Sequence, residues 1–481
     1  MNASTATPQK TIFIDVPCPV SMRNVVTGPQ SVVSRMQNMG YNVILLVPHY
    51  AVQQVAAAFP FQVESVNSNF PLTTRHKFSD FITKHLNLTR MQILGSKYGL
   101  RSNLDAKTRH AYLHILRVII ANTLGKSRFF RLTIAPKLHM WAFKDRPLQT
   151  VFDMYKPDLV FIPNMGAPQG EETIRECVRR GVPMIGMVGS WDHPHKRFQV
   201  IQPTEIFVWS DSLKEEMMTL QSHDSKGILV VGAPHLDMFR DPSFILSREE
   251  FFSRMGLKPE QKLFTLVSGA GRAPDEGDII DMLLKWNDAG KTAAPIAVHI
   301  RTYPGDHAAH QAFDMFETHD DVDINWFKNG KEFGPLPINY FPDVAYMQDF
   351  VSLFYHSTAV MSVYSSASVE ASVFERPSIN ISFDGYKERP FEQSVKRFVL
   401  QSHFDKLFKT GAVLEADSAQ ALLASVNTAI SDPTYNRDNI LKLQKSVCGV
   451  TDGKASERIA THLAQRLEEM SSKTSATTLT N

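Results

Sequence analysis

The segment Ser362–Ser382, SVYSSASVEASVFERPSINIS, gathers the residues of this chain best suited to hold an anionic ligand. A short apolar run, Ala359 to Val363, ends in a cluster of hydroxyls, and a helical pattern opens behind it with Glu370 in its first turns. Pro377 closes that pattern before a second apolar run containing Ile379 and Ile381. The order is strand, polar turn, helix, strand. Such a turn aims unpaired backbone N–H groups and the side chains of Ser365, Ser366 and Ser368 at one point, which suits a phosphate. Glu370, one turn further in, is placed to accept hydrogen bonds from a ribose. The same residues equally fit an N-cap followed by an ordinary crossover helix.

The elements that must position this turn alternate along the chain. Ile12 to Val16 reads as a buried strand, Val25 to Met39 as a helix stopped by Gly40, Val43 to Val47 as a strand and Ala51 to Phe59 as a short helix. Strand and helix resume at Asp158 to Pro163, Glu171 to Arg180, Pro183 to Val188, Ile206 to Trp209 and Leu229 to Val231. A linker helix with a polar turn covers Arg240 to Gln261. A second alternating block then starts with Leu263 to Val267, Gly277 to Trp286 and Ile296 to Ile300. Late helices are expected at Ser418 to Ile430 and Ser456 to Met470. Such alternation calls for parallel sheets with right-handed crossovers.

At 481 residues the chain exceeds one ordinary core, so two domains are expected. The first spans 1–240, with a helical basic segment at 71–146, and the second spans 241–450. A crossing helix follows at 451–470, and a Ser/Thr-rich tail at 471–481 is expected to be disordered. Two doubly wound halves facing one another leave a cleft at their strand ends, where ligands collect.

The formal charge of +2 carries no overall nucleic-acid signature, and no binding module accompanies the basic residues. The charge is unevenly spread, however. Between Arg75 and Arg146 there are 15 Lys/Arg against 3 Asp/Glu, interleaved with Phe78, Phe81, Leu86, Tyr112, Leu116, Phe129, Phe130 and Trp141. That segment suits an anionic membrane surface or an anionic acceptor, and equally a solvated basic face on normally packed helices. Three cysteines without short spacing, Cys18, Cys177 and Cys448, argue against a disulfide framework or a zinc site. The start, MNASTATPQK, lacks a basic-then-apolar leader, and no run approaches a membrane span. The expectation is a cytoplasmic protein, with a face able to touch the inner side of the membrane.

The block KPDLVFIPN (156–164), an acidic helix, GVPMIGMVGSWDHPHKR (181–197), IFVWSDSLKEE and VVGAPHLDMF (230–239) resembles a succession found in cytoplasmic surface-polysaccharide transferases. Motifs spread from Arg23-Asn24 to Asp452-Gly453, so the chain looks like a GT-B-type transferase. It stands near the CDP-glycerol glycerophosphotransferase-like proteins and the non-hydrolysing UDP-N-acetylglucosamine 2-epimerases. The resemblance implies two Rossmann-like domains, the first holding an acceptor and the second a nucleotide-activated donor, with no bound metal or cofactor.

Residue by residue, Ser365 and Ser366 fall where that pattern has phosphate-approaching glycines, and Glu370 falls on a ribose-holding carboxylate. VHIRTYP (298–304) resembles a motif with a basic residue before a His-Pro pair. Tyr303 stands where the histidine would be; Arg301 offers a bidentate grip on a diphosphate, or a surface ion pair, and His299 or His307 could substitute. In the loop SGAGR, ending at Arg272, Gly269 and Gly271 let backbone approach a phosphate, though such loops are also plain tight turns. Asp452, before the last helix, resembles a segment beside the donor site, or simply caps that helix.

Transfer from a nucleotide donor needs the departing phosphate stabilised and a proton removed from the attacking hydroxyl. Asp192, at a strand end in Ser190-Trp191-Asp192-His193, is the first candidate for the second task. His193, His195 and the Glu171-Glu172 pair are its rivals, although Glu171 also suits a helix dipole. His193-Pro194-His195 could suggest a metal site, but an i, i+2 pair on a loop with no third ligand nearby is a weak signal. His235, in a Gly-Ala-Pro-His turn, lines the cleft or packs beside it. The expected activity is transfer of a sugar from a nucleotide donor to a cell-envelope glycan or lipid-linked acceptor. A polyol-phosphate transferase, a 2-epimerase and a non-catalytic binding subunit are the alternatives.

Overall fold

The computed structural model describes residues 9–66, 73–87, 111–167, 170–302, 312–324, 341–391 and 393–478. Two parallel sheets organise them. The first contains β1 (Thr11–Asp15), β2 (Asn42–Pro48), β3 (Gln62–Val66), β4 (Leu159–Ile162), β5 (Met184–Met187), β6 (Glu205–Val208) and β7 (Ile228–Val230), in the order β3-β2-β1-β4-β5-β6-β7. The second contains β8 (Lys262–Val267), β9 (Ile296–Arg301), β10 (Val322–Ile324), β11 (Ala359–Ser362), β12 (Ser378–Ile381) and β13 (Val413–Ala416), in the order β10-β9-β8-β11-β12-β13.

Both orders reverse direction once, between β1 and β4 and again between β8 and β11. At each reversal the crossovers leave on opposite faces, so a crevice opens beyond the carboxyl ends of the two strands. The residues just after β1, β4, β8 and β11 therefore face the ligand space. The central strands, such as β1, β2 and β8, are mainly apolar and buried, as strands of a parallel sheet covered on both faces are.

Several boundaries differ from expectation for local reasons. The helix expected over Val25 to Met39 is two helices, Pro19–Val25 and Val32–Asn38. Gly28, before Pro29, has φ +101°, and Ser31 then caps the second helix by accepting the Ser34 N–H. The linker helix contracts to Arg248–Met255, preceded by 3-10 turns at Pro234–Arg240 and Pro242–Phe244. Of the tail expected to be disordered, residues 471–478 continue the last helix, Ala455–Thr478, and 479–481 lie outside the described residues.

That last helix returns to the first sheet. Ile459, Ala460, Leu463 and Leu467 join the core formed with Val33, Met36 and Phe207. Burying each such Leu or Ile side chain contributes about 1.5–3 kcal/mol. Asp237 fixes its start by accepting the Ala455 and Ser456 N–H groups at 3.0 and 2.7 Å. Cys18, Cys177 and Cys448 are free thiols, and among the described residues no helix is long and apolar enough to cross a membrane.

Candidate functional site

At the end of β11 the chain turns sharply. Tyr364 adopts φ 44°, a conformation that side chains with a Cβ rarely take, and its N–H donates to Asn380 Oδ1 at 2.7 Å. Ser365 Oγ accepts the Ala367 N–H at 3.2 Å, just ahead of the short helix Ala367–Val373, whose N-cap residue Ser366 makes no side-chain capping bond. Ser366 is exposed and Ser368 buried. Strand, polar turn, helix and strand stand in the expected order.

Glu370, on that helix, is only 6% exposed. Its Oε1 lies 3.4 Å from Arg23 Nη1 on the helix Pro19–Val25 of the first lobe, and its Oε2 is buried without a hydrogen-bond partner. Burial raises the Glu370 pKa, and attraction from Arg23 and Arg301 only partly offsets this. Arg301 ends β9, donates from Nη2 to the Tyr346 hydroxyl and lies over the Phe350 ring at 4.6 Å. Its Nε is a further buried atom without a partner. Burial and then the neighbouring Arg23 hold His235 neutral, well below the usual histidine range, against the Trp209 ring at 5.0 Å. Two guanidiniums, one carboxylate and one neutral imidazole thus converge at the seam between the lobes.

The glycine loop after β8 is closed by the protein itself. The buried carboxylate of Glu276 accepts the Ser268 hydroxyl at 2.7 Å and the Gly269 N–H at 2.9 Å. Burial pushes its pKa up to about 7. A Cβ at Gly269 would lie 3.7 Å from the Val363 Cβ, so the loop abuts the β11 turn. Its N–H, expected to approach a phosphate, is engaged by a carboxylate. Gly271 lies in the 3-10 turn Ala270–Arg272, and the Arg272 guanidinium sits over the Phe398 ring.

Asp192 immediately precedes the short helix His193–Lys196. It accepts the Ser190 hydroxyl at 2.8 Å and pairs with Lys196 at 2.6 Å. Burial favours its neutral form, but Lys196, His193 and His403 outweigh this and hold the carboxyl well below the usual range. Opposite it, from the second lobe, stands His403, which burial depresses to about 3 despite the attraction of Asp192. The His403 ring lies 5.5 Å from Trp191 and 6.2 Å from His195, between centroids. Lys406 of the second lobe bonds the Trp191 carbonyl at 3.0 Å and Glu216 at 2.8 Å. Nothing in the local pattern of Ser402-His403-Phe404 marks that histidine.

Asp15 is the other residue that sequence reading passed over. It ends β1 at the first crevice, almost fully buried, and Oδ1 accepts the Thr173 hydroxyl at 2.9 Å. Burial pushes its carboxyl up to about 8, Thr173 opposes this and Glu172 adds to it. A Cβ at Gly170 would meet Asp15 Oδ2 at 2.6 Å, so glycine there allows the helix Glu171–Arg180 its close approach. An acid at the end of an otherwise apolar buried strand was the available signal.

Glu171 belongs to a separate cluster beneath the basic segment. Lys84, Arg175, Arg197 and His139 surround it at 3.6–3.9 Å. Asp80, His139 and Glu171 bring ligand-type atoms within 4.8 Å of one another. Lys84 at 2.6 Å from Asp80 and Arg175 beside Glu171 already neutralise both carboxylates. Such a set is a satisfied ion network rather than a vacant cation site.

Two expectations need correction. His299 does not line the cleft: it is fully buried in mid-sheet, and its Nδ1 lies 2.7 Å from Asp323 Oδ2 on the adjacent strand. A buried histidine between strands needs such a partner. Asp452 does not line it either. It is paired with Arg458 at 2.9 Å beside the start of the last helix, which Asp237 caps. Tyr303 and His307 lie outside the described residues.

No protein-family model matches the chain, and no curated protein matches it by sequence. Solved structures do match in fold. MnaA from S. aureus with UDP is 11% identical, covering 96% of this chain and 97% of that one, with a TM-score of 0.53. The UDP-GlcNAc 2-epimerase from Neisseria meningitidis bound to UDP-GlcNAc is 13% identical, covering 95% and 100%, with a TM-score of 0.53. A variant of the wall teichoic acid polymerase TagF is 11% identical, covering 96% and 90%, with a TM-score of 0.51. At such identities the likeness concerns the fold, and that fold is GT-B, two facing parallel-sheet domains.

Proposed function

On this GT-B scaffold, we propose that the chain is a transferase that moves a sugar from a nucleotide-activated donor to a cell-envelope glycan or lipid-linked acceptor. Residues 1–240 take the acceptor and 241–450 the donor. One observation carries the reading: a buried carboxylate with a free oxygen, Glu370, stands between Arg23 and Arg301 at the seam of the lobes. Glu370 accepts hydroxyl hydrogens of the donor ribose. The two guanidiniums neutralise the diphosphate and then the charge that grows on it as the sugar leaves. Ser366, exposed on the β11 turn, adds a hydroxyl donor.

Asp192 serves the acceptor side. A carboxylate held so firmly ionised is a weak base, so it orients the attacking hydroxyl and steadies positive charge nearby. Burial keeps the His403 imidazole, opposite Asp192, neutral and an equally weak base, so it accepts a hydrogen bond from that hydroxyl, whose proton leaves with the departing diphosphate. Asp15, protonated at neutral pH, keeps the floor of the first crevice uncharged.

A second reading, 2-epimerisation of a nucleotide sugar, is favoured by the fold shared with the epimerase bound to UDP-GlcNAc. A thermal-shift panel of UDP, CDP, CMP, GDP and TDP tests the first reading. A shift of several degrees with one of them supports it, and none with any of them removes it. Incubation with UDP-GlcNAc alone decides the second reading, since only an epimerase yields the C2 epimer without an acceptor.

A further inference from the structure

The helices Thr74–Thr83, Ala111–Asn122 and Ala135–Ala142 form one layer over the first lobe. Their inner sides are buried through Ser79, Thr83, Ala135, His139 and Ala142. Their outer sides are unusual. Among the described residues, seven of the 22 exposed large apolar side chains fall between residues 78 and 141, which is far denser than scattered surface apolars. The most exposed are Phe129 at 66%, Ile115 at 58%, Phe78 at 54% and Trp141 at 54%.

Cation–ring contacts tie these helices into a single surface. The Arg75 guanidinium lies 5.8 Å from the Trp141 ring, and that of Arg117 lies 5.8 Å from Phe81. Exposed Lys77, Lys126, Arg128 and Lys137 alternate with the aromatic tips. The two acids described here, Asp80 and Asp145, are taken by Lys84 at 2.6 Å and His76 at 3.6 Å. The face is therefore apolar at its tips and positive around them.

We propose that this face docks the protein on an anionic phospholipid surface. Phe78, Phe129 and Trp141 enter the boundary between headgroups and acyl chains, and the lysines and arginines meet the lipid phosphates. Charge complementarity selects this occupant. A second copy would set the same positive face against itself, and like charges at contact oppose association. The helices lie on the bilayer and none crosses it, which agrees with their mixed polarity. The inference stands apart from the nucleotide site, because no residue of the patch belongs to the Arg23–Glu370–Arg301 cluster.

The test is co-sedimentation of the full chain with vesicles of phosphatidylcholine, alone or mixed with phosphatidylglycerol. Binding to the mixed vesicles, weakened by salt, is the expected result. The Phe129→Ser/Trp141→Ser variant should lose about tenfold or more in binding. Lys126→Gln/Arg128→Gln should lose binding chiefly at low salt. All four side chains are exposed, so the thermal midpoint in vesicle-free buffer and the nucleotide-induced shift should match those of the parent chain. Equal binding of parent and variants overturns the proposal, as does no binding to mixed vesicles. Self-association in sedimentation velocity that the variants abolish, without vesicle binding, assigns the face to a second copy and also overturns it.

Discussion

Arg23 of the first lobe and Glu370 of the second meet at 3.4 Å, although 347 positions separate them in the chain. Their contact is one of several that hold the lobes together. Thr27 also donates to the Pro342 carbonyl at 2.9 Å, and Gln54 to the Phe341 carbonyl at 3.0 Å. On the far side Lys406 reaches Trp191 and Glu216. A ligand entering between the lobes must therefore engage groups that already face one another.

Glu370→Gln keeps the volume of the side chain and removes its charge. Isothermal titration with the nucleotide that shifts the parent most should show affinity lowered about tenfold or more, roughly 1.4 kcal/mol. Unchanged affinity would remove Glu370 from the ribose role. Arg23→Ala should also destabilise the fold by ~1–3 kcal/mol in urea unfolding, since it strands a buried carboxylate whose partner is only partly buried.

Asp192→Asn should separate turnover from binding. The rate of transfer should fall about 10²-fold while donor affinity stays within a factor of two. Its pKa is depressed, so its contribution to stability is present above the ordinary carboxylate range and lost as pH falls into strong acid. Asp192 stays ionised throughout the range, so the shape of the rate profile between pH 5 and 7 should be the same in parent and variant. Loss of nucleotide binding with turnover retained would reverse the assignment of the lobes.

Two buried acids predict how stability follows pH. Asp15 titrates near 8 and Glu276 near 7 in the folded chain, both above their ordinary values. Raised pKa values mean that their contribution is fully present below about pH 4 and lost as pH climbs through 7 to 8. The thermal midpoint should accordingly drop between pH 6 and 8.5. Asp15→Asn and Glu276→Gln should each flatten that slope, by on the order of 1 kcal/mol per pH unit at most. A slope that neither variant alters would count against the burial argument.

Asp237→Ala removes the cap of the helix Ala455–Thr478 and should cost about 1 kcal/mol. Leu463→Ala, in the core between that helix and the first sheet, should cost about 2–5 kcal/mol. Urea midpoints of the two variants provide the comparison. If both leave the midpoint unchanged, the last helix does not contribute to the fold.

Much of the architecture was legible in the chain order of residue types. Buried runs such as Ile12 to Ile14 and Leu263 to Leu266, separated by helical periods, imply parallel strands with crossovers, because that pattern is set by neighbours within a few residues. The β11 turn with Ser365 and Glu370 was legible for the same reason. Weaker elements were not: β3, β10 and β13 are short edge or near-edge strands, and β3 and β13 carry exposed positions that blur their pattern.

The site itself was decided by tertiary structure. Periodicity identified Glu370 but could not supply Arg23 as its partner, nor set His403 opposite Asp192. The family resemblance placed His299 at a cleft, whereas strand pairing put that ring against Asp323 inside the sheet. Sequence reading passed over Asp15, whose proton is held by burial beneath a helix that begins 156 residues later. Local sequence controls backbone conformation through contacts a few residues long. Which side chains meet, and in what dielectric, depends on where crossovers deliver the strand ends, and that is settled only when both sheets have packed.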